Sequence, residues 1–185
     1  MGANPAVRSA ELRVFEPTIA WLAGVGFLFL LGSIIVAGRE TTLLRDGRSL
    51  TSRYSLARVQ MAFWTILTVF GFVFIWVLTG QYVNVITTAT FTLLGISGAT
   101  ALAAVAIEGD AGKAASQSFF GDILSDGAGE LQLHRIQVGL WTLVFGAIFA
   151  WNILNSLILT EFDANMLLLL GIANGVYAGF KTQEK

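Results

Sequence analysis

The sequence predicts an all-α polytopic membrane protein with five transmembrane helices. Of its 185 residues, 55% are hydrophobic and 12% are charged, and the mean hydropathy is +0.72. Such a chain is too apolar for the usual surface of a soluble protein. Its charges are gathered between long uncharged runs of about the length that crosses a bilayer. A repeated motif divides most of the chain into two similar units, so one N-terminal helix and two tandem helical hairpins are expected.

The N-terminal part is predicted to contain one span. Residues 1–16 are polar and are expected to form a lead-in at the membrane surface. Pro17 suits a first helical turn, and the 21 residues after it carry no charge, so residues 17–38 form the predicted first span. Residues 39–57 contain four arginines and are expected to form a loop on the cytoplasmic side.

Residues 58–107 are predicted to form the first helical hairpin. After its arginine this segment has 49 uncharged residues, and a single helix of that length would extend about 74 Å, more than twice a bilayer core. The chain must therefore turn back. Gly80 is expected to end one helix and Asn84 to cap the next, which gives spans at 59–80 and 85–107.

The remaining chain repeats this plan after a polar loop. Residues 108–134 are acidic and are expected to return to the cytoplasmic side. Within this loop a short amphipathic helix is expected to rest on the membrane or on the bundle through Phe119, Phe120, Ile123 and Leu124. Residues 135–180 form the predicted second hairpin, with spans in 136–160 and 164–180, and residues 181–185 are a cytoplasmic tail. Nine of the eleven basic residues then lie on the cytoplasmic side, which predicts an outer N-terminus.

Two stretches carry the repeat. LARVQMAFWT from Leu56 resembles HRIQVGLWT from His134, and Arg58, Gln60 and Trp64 match residues 77 positions later, Arg135, Gln137 and Trp141. The bland interpretation of both copies is anchoring at the membrane interface or contact with anionic lipid. The other interpretation starts from helix geometry, since Gln60 and Trp64 share one helical face. A buried glutamine amide there needs a partner, and it would either hold the seam with the other repeat or line a polar path.

A second repeated pattern consists of small residues. Residues four apart lie on one helical face, and small residues so spaced let helices approach closely in lipid. Because each unit contains two helices, the repeat is predicted to be parallel, with a pseudo-twofold four-helix core and the first helix at its edge. Helix packing is expected at Gly95, Ala99 and Ala103 and at the matching residues Gly171, Gly175 and Gly179.

The motifs SLARVQMAFW, LLGISGATAL, FFGDILSD with LHRIQ, and EFDANMLLLLGIANGVYAGFK together resemble an uncharacterised family of small bacterial multi-pass membrane proteins. The resemblance covers residues 52–182. It implies a bacterial origin and residence in the bacterial inner (cell) membrane. It implies no activity.

The expected function is an oligomeric channel-like or passive-transport protein. Thr90, Ser97, Ala101 and Glu108 follow one face of the third helix, where they would line a pore in a homo-oligomer. The opposing interpretation is that membrane threonines bond their own helix. The alternative function is a non-conducting scaffold or sensor subunit that packs against a partner membrane protein. No charge lies deep in a span, which argues against an active transporter.

Metal binding and catalysis receive little support. Asp122, Asp126 and Glu130 are spaced by four, so a loose divalent-cation site is considered, although Leu124 and Leu133 stand where a calcium loop needs oxygen ligands. Salt bridges to the Arg-rich loop are the other use of these carboxylates. The absence of cysteine, the single His134 and the lack of a catalytic motif predict no enzyme and no resident cofactor. With a net charge of −1, no nucleic-acid partner is expected.

Overall fold

A computed structural model describes residues 17–80, 82–107 and 115–183. This part of the chain is all-helical and contains no strand, only isolated bridges at Arg45 with Tyr54 and at Ser125 with Leu131. The six helices are α1 (Pro17–Glu40), α2 (Leu56–Thr79), α3 (Thr88–Ile107), α4 (Phe119–Leu124), α5 (Leu133–Ser156) and α6 (Ala164–Lys181). The predicted all-α class is confirmed, and the predicted lead-in at residues 1–16 lies outside the described residues.

Three described helices are long and apolar enough to cross a membrane: α2, α3 and α5. Their length and composition fit the predicted membrane protein, because a helix of 20 or 24 residues covers the bilayer core, and each of the three has at most one arginine, near its start.

Four helices form a ring around one core. In this ring α2 packs on α3, α3 on α6, α6 on α5 and α5 back on α2. Among the described helices α1 contacts α2 alone, with the rings of Phe27 and Phe70 4.9 Å apart. The structure thus has the expected four-helix core with the first helix at its edge.

The bundle has two ends that differ in chemistry. The basal end, defined by residues 41–55, α4 and the C-terminus of α6, carries buried charged side chains, among them Arg53, Asp122 and Lys181. The apical end consists of the α2–α3 connection and residues 157–163. Between the two ends the core contains a large apolar cluster; its buried members are Trp64, Ile75, Leu93, Phe145, Phe149, Ile153, Leu159, Phe162 and Leu170.

Helix ends follow local chain chemistry, with one correction. Gly80 ends α2 in the left-handed region at φ 67° and donates its N–H to the Trp76 carbonyl, as predicted. The prediction that Asn84 caps the next helix is wrong. Asn84 lies in the preceding turn at φ 60°, and the Thr87 hydroxyl accepts the Thr90 N–H at 3.2 Å, so α3 begins at Thr88.

Close packing at Gly71 generates a prediction about stability. A Cβ at this position would lie 2.6 Å from Leu159 Cδ2 and would also meet Ile153, both fully buried in the core. We expect Gly71→Ala to lower the free energy of unfolding by about 1–3 kcal/mol in denaturant titrations of detergent-solubilised protein. Gly98→Ala is the matched control, because a Cβ there meets nothing within 4 Å and alanine favours the helix. Equal effects of both changes would contradict the packing.

Candidate functional site

Trp64 of the repeated motif is part of the core. It is fully buried, and its ring makes edge contacts with Phe149 and Phe162 at centroid distances of 6.2 and 6.5 Å. Interfacial anchoring therefore does not describe this tryptophan. The second copy differs, because Trp141 is half-buried and stacks on Phe145 at 5.5 Å.

Gln60 joins the two repeated units. Its side-chain Nε2 donates to Thr142 Oγ1 at 2.9 Å, and Thr142 in turn donates to the Val138 carbonyl at 2.8 Å. Gln60 and Thr142 are both buried, so this bond fixes the seam between α2 and α5. Its counterpart in the second copy, Gln137, is half-buried. The structure supports the buried interpretation of the glutamine for the first copy.

The two copies of the motif do not occupy equivalent positions. Matching residues are 77 apart in the sequence, yet the buried faces of α2 and α5 match at a separation of 78. A shift by one residue rotates a helical face by about 100°. The buried residues of α2 are Leu56, Ala57, Gln60, Trp64, Thr68, Gly71 and Ile75, and those 78 later in α5 are His134, Arg135, Val138, Thr142, Gly146, Phe149 and Ile153.

The predicted small-residue packing faces do not form the seams of this bundle. Gly95, Ala99, Gly175 and Gly179 are exposed, and Ala103 is half-buried. An added Cβ would meet nothing within 4 Å at the three exposed glycines, and only Ile96 at Gly171, 3.9 Å away. Instead α3 and α6 bury the residues beside these faces: Leu93, Ser97, Thr100, Ala101 and Ala104 on α3, and Leu170, Ala173, Asn174 and Tyr177 on α6.

The pore-lining candidates lie inside the bundle of one chain. Thr90, Ser97 and Ala101 are buried, so they do not face an axis between subunits, and Glu108 lies outside the described residues. Ser97 donates its hydroxyl to the Leu94 carbonyl at 3.0 Å, and the neighbouring Thr100 bonds its own helix in the same way. These hydroxyls are satisfied locally, as membrane threonines and serines commonly are.

A buried ion pair joins the two loops at the basal end. Arg53 Nε lies 3.5 Å from Asp122 Oδ1, and both side chains are buried. The Asp122 carboxylate also accepts the Ser116 hydroxyl at 2.6 Å and the backbone N–H of Tyr54 at 3.2 Å. Arg53 additionally donates to Ser125 Oγ. The opposite charges of the two loops predict this pairing, but not which two residues make it.

A second buried pair attaches the end of α6. Lys181 Nζ contacts both carboxylate oxygens of Asp46, at 2.9 and 3.0 Å. Next to this pair, the Arg135 guanidinium lies over the Tyr177 ring at 5.4 Å. Arg58, the matching arginine of the first copy, is half-buried and donates to the Thr42 carbonyl at 3.3 Å. No local sequence pattern indicates the contact between Lys181 and Asp46, because 135 residues separate them.

The acidic residues considered for a metal site have other uses. Asp126 Oδ1 accepts the N–H groups of Ala128 and Glu130, and its Oδ2 accepts Gln132 Nε2. Glu130 is exposed, while Asp122 is committed to Arg53. In the part of the chain that the structure describes, no three acidic or histidine side chains converge as a metal site.

The remaining predicted residues of the acidic loop and the single histidine support packing. Ile123 is buried in a basal core cluster, and Phe119 makes an edge contact with Tyr54 at 5.1 Å, whereas Phe120 is exposed. The His134 ring stacks on Phe180 at 4.9 Å.

Fold and site together define a helical bundle in which three helices are long and apolar enough to cross a membrane and two buried ion pairs lie at the basal end. The chain matches no family model, no curated protein and no solved structure.

Removing one partner of the Arg53–Asp122 pair is expected to leave the other charge buried and unpaired. We expect Asp122→Ala to cost about 3 kcal/mol of unfolding free energy. The Arg53→Ala, Asp122→Ala double variant should lose clearly less than the sum of the two single losses. Denaturant titration measures all three, and Arg48→Ala, an exposed arginine of the same loop, is the control. Additive losses would contradict a direct pair.

Asp126 is expected to make stability depend on pH. Burial opposes ionisation of its carboxyl, but hydrogen bonds from Glu130, Gln132 and Ala128 outweigh burial and lower the pKa below its ordinary value. A carboxyl whose pKa is lower in the folded state stabilises the fold at pH values above its ordinary pKa. This contribution disappears as the pH falls through the folded-state pKa. At neutral pH, Asp126→Asn should lower Tm by about 2–4 °C. The difference from wild type should vanish well below the ordinary pKa. A difference independent of pH would contradict this role.

Proposed function

We propose that the protein is a non-conducting membrane scaffold or sensor subunit that binds a helix of a partner membrane protein on the surface formed by α3 and α6. All five long helices are taken as spans of the inner membrane. The observation that supports this proposal is that both helices have exposed glycines, and that a Cβ added to any of them would meet nothing within 4 Å. These glycines are Gly95, Gly175 and Gly179. We call this surface, with Ala99, the glycine face.

The glycine face supports a partner helix because of how helices associate in lipid. Hydrophobicity does not drive helices together there, so association depends on close backbone approach and packing. Two neighbouring helices with small residues outward give a shallow surface that a third helix can approach closely. Among the described residues the face is not used for packing, since the buried residues of α3 and α6 lie beside it.

The closed interior supports the non-conducting part of the proposal. Large aromatic and aliphatic side chains fill the apolar core between the two ends, among them Trp64, Phe149 and Phe162, all buried. At the basal end the Arg53–Asp122 and Lys181–Asp46 pairs tie the loops and α6 across the bundle. An ion path along this core would need these side chains to separate.

A second candidate is a channel-like or passive-transport protein whose path runs through the bundle of each chain. It is favoured by the polar residues inside the bundle, including Gln60, Thr90 and Ser97, which an apolar core would not need. In this candidate the conduction path lies within each chain, and not on an axis between subunits.

A photo-cross-linking amino acid at Ala99 tests the partner proposal. In membranes of the source cells we expect a cross-linked product between the chain and a different membrane protein. Gly95→Leu and Gly175→Leu should abolish this product, because leucine blocks close approach. Gly24→Leu on α1 should leave it intact, since Gly24 also has nothing within 4 Å of a Cβ. A product containing only two copies of this chain, or no product, would contradict the proposal.

Ion and solute flux in proteoliposomes separates the two candidates. The scaffold proposal expects no flux above that of empty liposomes. Flux that falls in a Ser97→Val variant, with unchanged protein incorporation, would establish the transport alternative instead.

A further inference from the structure

The inner face of α2 contains three polar side chains in a row. Gln60, Trp64 and Thr68 are spaced by four residues, so they lie on one helical face. They are exposed by only 2%, 0% and 6%. Each has one polar atom without a hydrogen-bond partner among the described residues: Oε1 of Gln60, Nε1 of Trp64 and Oγ1 of Thr68. We call these three residues the polar stripe.

Thr68 differs from the other threonines of its helix. Thr65 donates to the Met61 carbonyl at 2.8 Å, and Thr79 donates to the Ile75 carbonyl at 2.7 Å. Such bonds to the helix backbone are the usual solution for threonine in an apolar setting. The Thr68 hydroxyl has no such bond, although it is buried. Its hydrogen-bonding capacity remains for something outside the helix.

The three open atoms are chemically complementary. An indole Nε1–H only donates, an amide Oε1 only accepts, and a hydroxyl does both. Successive residues of the stripe are separated by about 6 Å along the helix axis, four residues at 1.5 Å each. Two hydrogen bonds through one intervening oxygen span such a separation. A buried polar atom left unpaired has lost its hydrogen bonds to water without replacement, which destabilises the folded state.

The neighbours of the stripe limit what can bind. Toward the apical end, Gly71 is in tight contact with Ile153 and Leu159. Toward the basal end the same face continues with the fully buried Ala57. The Thr142 hydroxyl, across the seam, already accepts from Gln60 and donates to Val138. The site is therefore short and closed at both ends, and these neighbours are all uncharged.

We propose that the polar stripe binds internal water molecules that bridge Trp64 Nε1, Gln60 Oε1 and Thr68 Oγ1. Water is the ligand of the right chemistry, because it both donates and accepts, is neutral and is small. Buried waters of this kind make two to four hydrogen bonds to polar groups that otherwise have none. The proposal does not depend on the glycine face or on a partner. It makes α2 and α5 a hydrated seam inside an otherwise apolar bundle.

Indole NMR of the full chain in lipid nanodiscs tests this site. The protein is labelled with ¹⁵N at tryptophan, and the Trp64 resonance is assigned through its loss in Trp64→Phe. We expect a magnetisation-transfer cross-peak between the Trp64 indole proton and long-lived water. An indole proton without this cross-peak, in a region of the spectrum typical of unbonded indoles, would overturn the proposal.

Matched threonine variants locate the water. Thr68→Val replaces a hydroxyl by a methyl group of similar size and should remove or strongly weaken the Trp64–water cross-peak. Thr65→Val lies one turn away but is exposed and bonded to its own helix, so the cross-peak should persist. Equal loss in both variants, or full persistence in Thr68→Val, would show that the water is not held by the stripe. Well-dispersed spectra of the remaining tryptophans, among them Trp141, verify that each variant is folded.

Discussion

The bundle depends on the pairing of polar groups where no bulk water reaches them. In a membrane helix the face toward lipid and the face toward the core are both apolar, so hydrophobicity alone does not choose a rotation. The bond from Gln60 to Thr142 can make that choice, because it is satisfied at only one relative rotation of α2 and α5. The same requirement returns the hydroxyls of Ser97 and Thr100 to their own helix.

At the basal end the requirement applies to full charges. Four buried cationic side chains occur there, Arg45, Arg53, Arg135 and Lys181, whereas Asp46 and Asp122 are the buried carboxylates in the described part of the chain. Tyrosine rings supply part of the remaining contact area. Arg45 lies 4.2 Å above Tyr54, and Arg135 lies over Tyr177. The two tyrosines therefore place aromatic faces where more carboxylates would otherwise be expected.

The sequence predicts the elements better than their rotation. The lengths of the uncharged runs and the positions of the charges indicate where helices begin and end. The all-α class, the turn at Gly80 and the attraction between the loops can therefore be predicted from the sequence. The prediction that Asn84 caps a helix is wrong because the side chain that suits a helix cap suits a turn equally well. The rotation of α3 about its own axis cannot be predicted from the sequence, since small residues such as Gly95 indicate close approach without indicating which neighbour approaches. The long-range contact of Lys181 with Asp46 has no local pattern at all.

The one-residue shift between the two halves has a consequence for how the repeated motif tolerates change. The same glutamine is buried and bonded at position 60 but half-buried at position 137, and the same tryptophan is fully enclosed at 64 but only partly enclosed at 141. The same residue types therefore have different surroundings in the two copies. Over evolutionary time Gln60 and Trp64 would be restricted by their neighbours inside the chain, whereas the half-buried Gln137 and Trp141 would be less restricted.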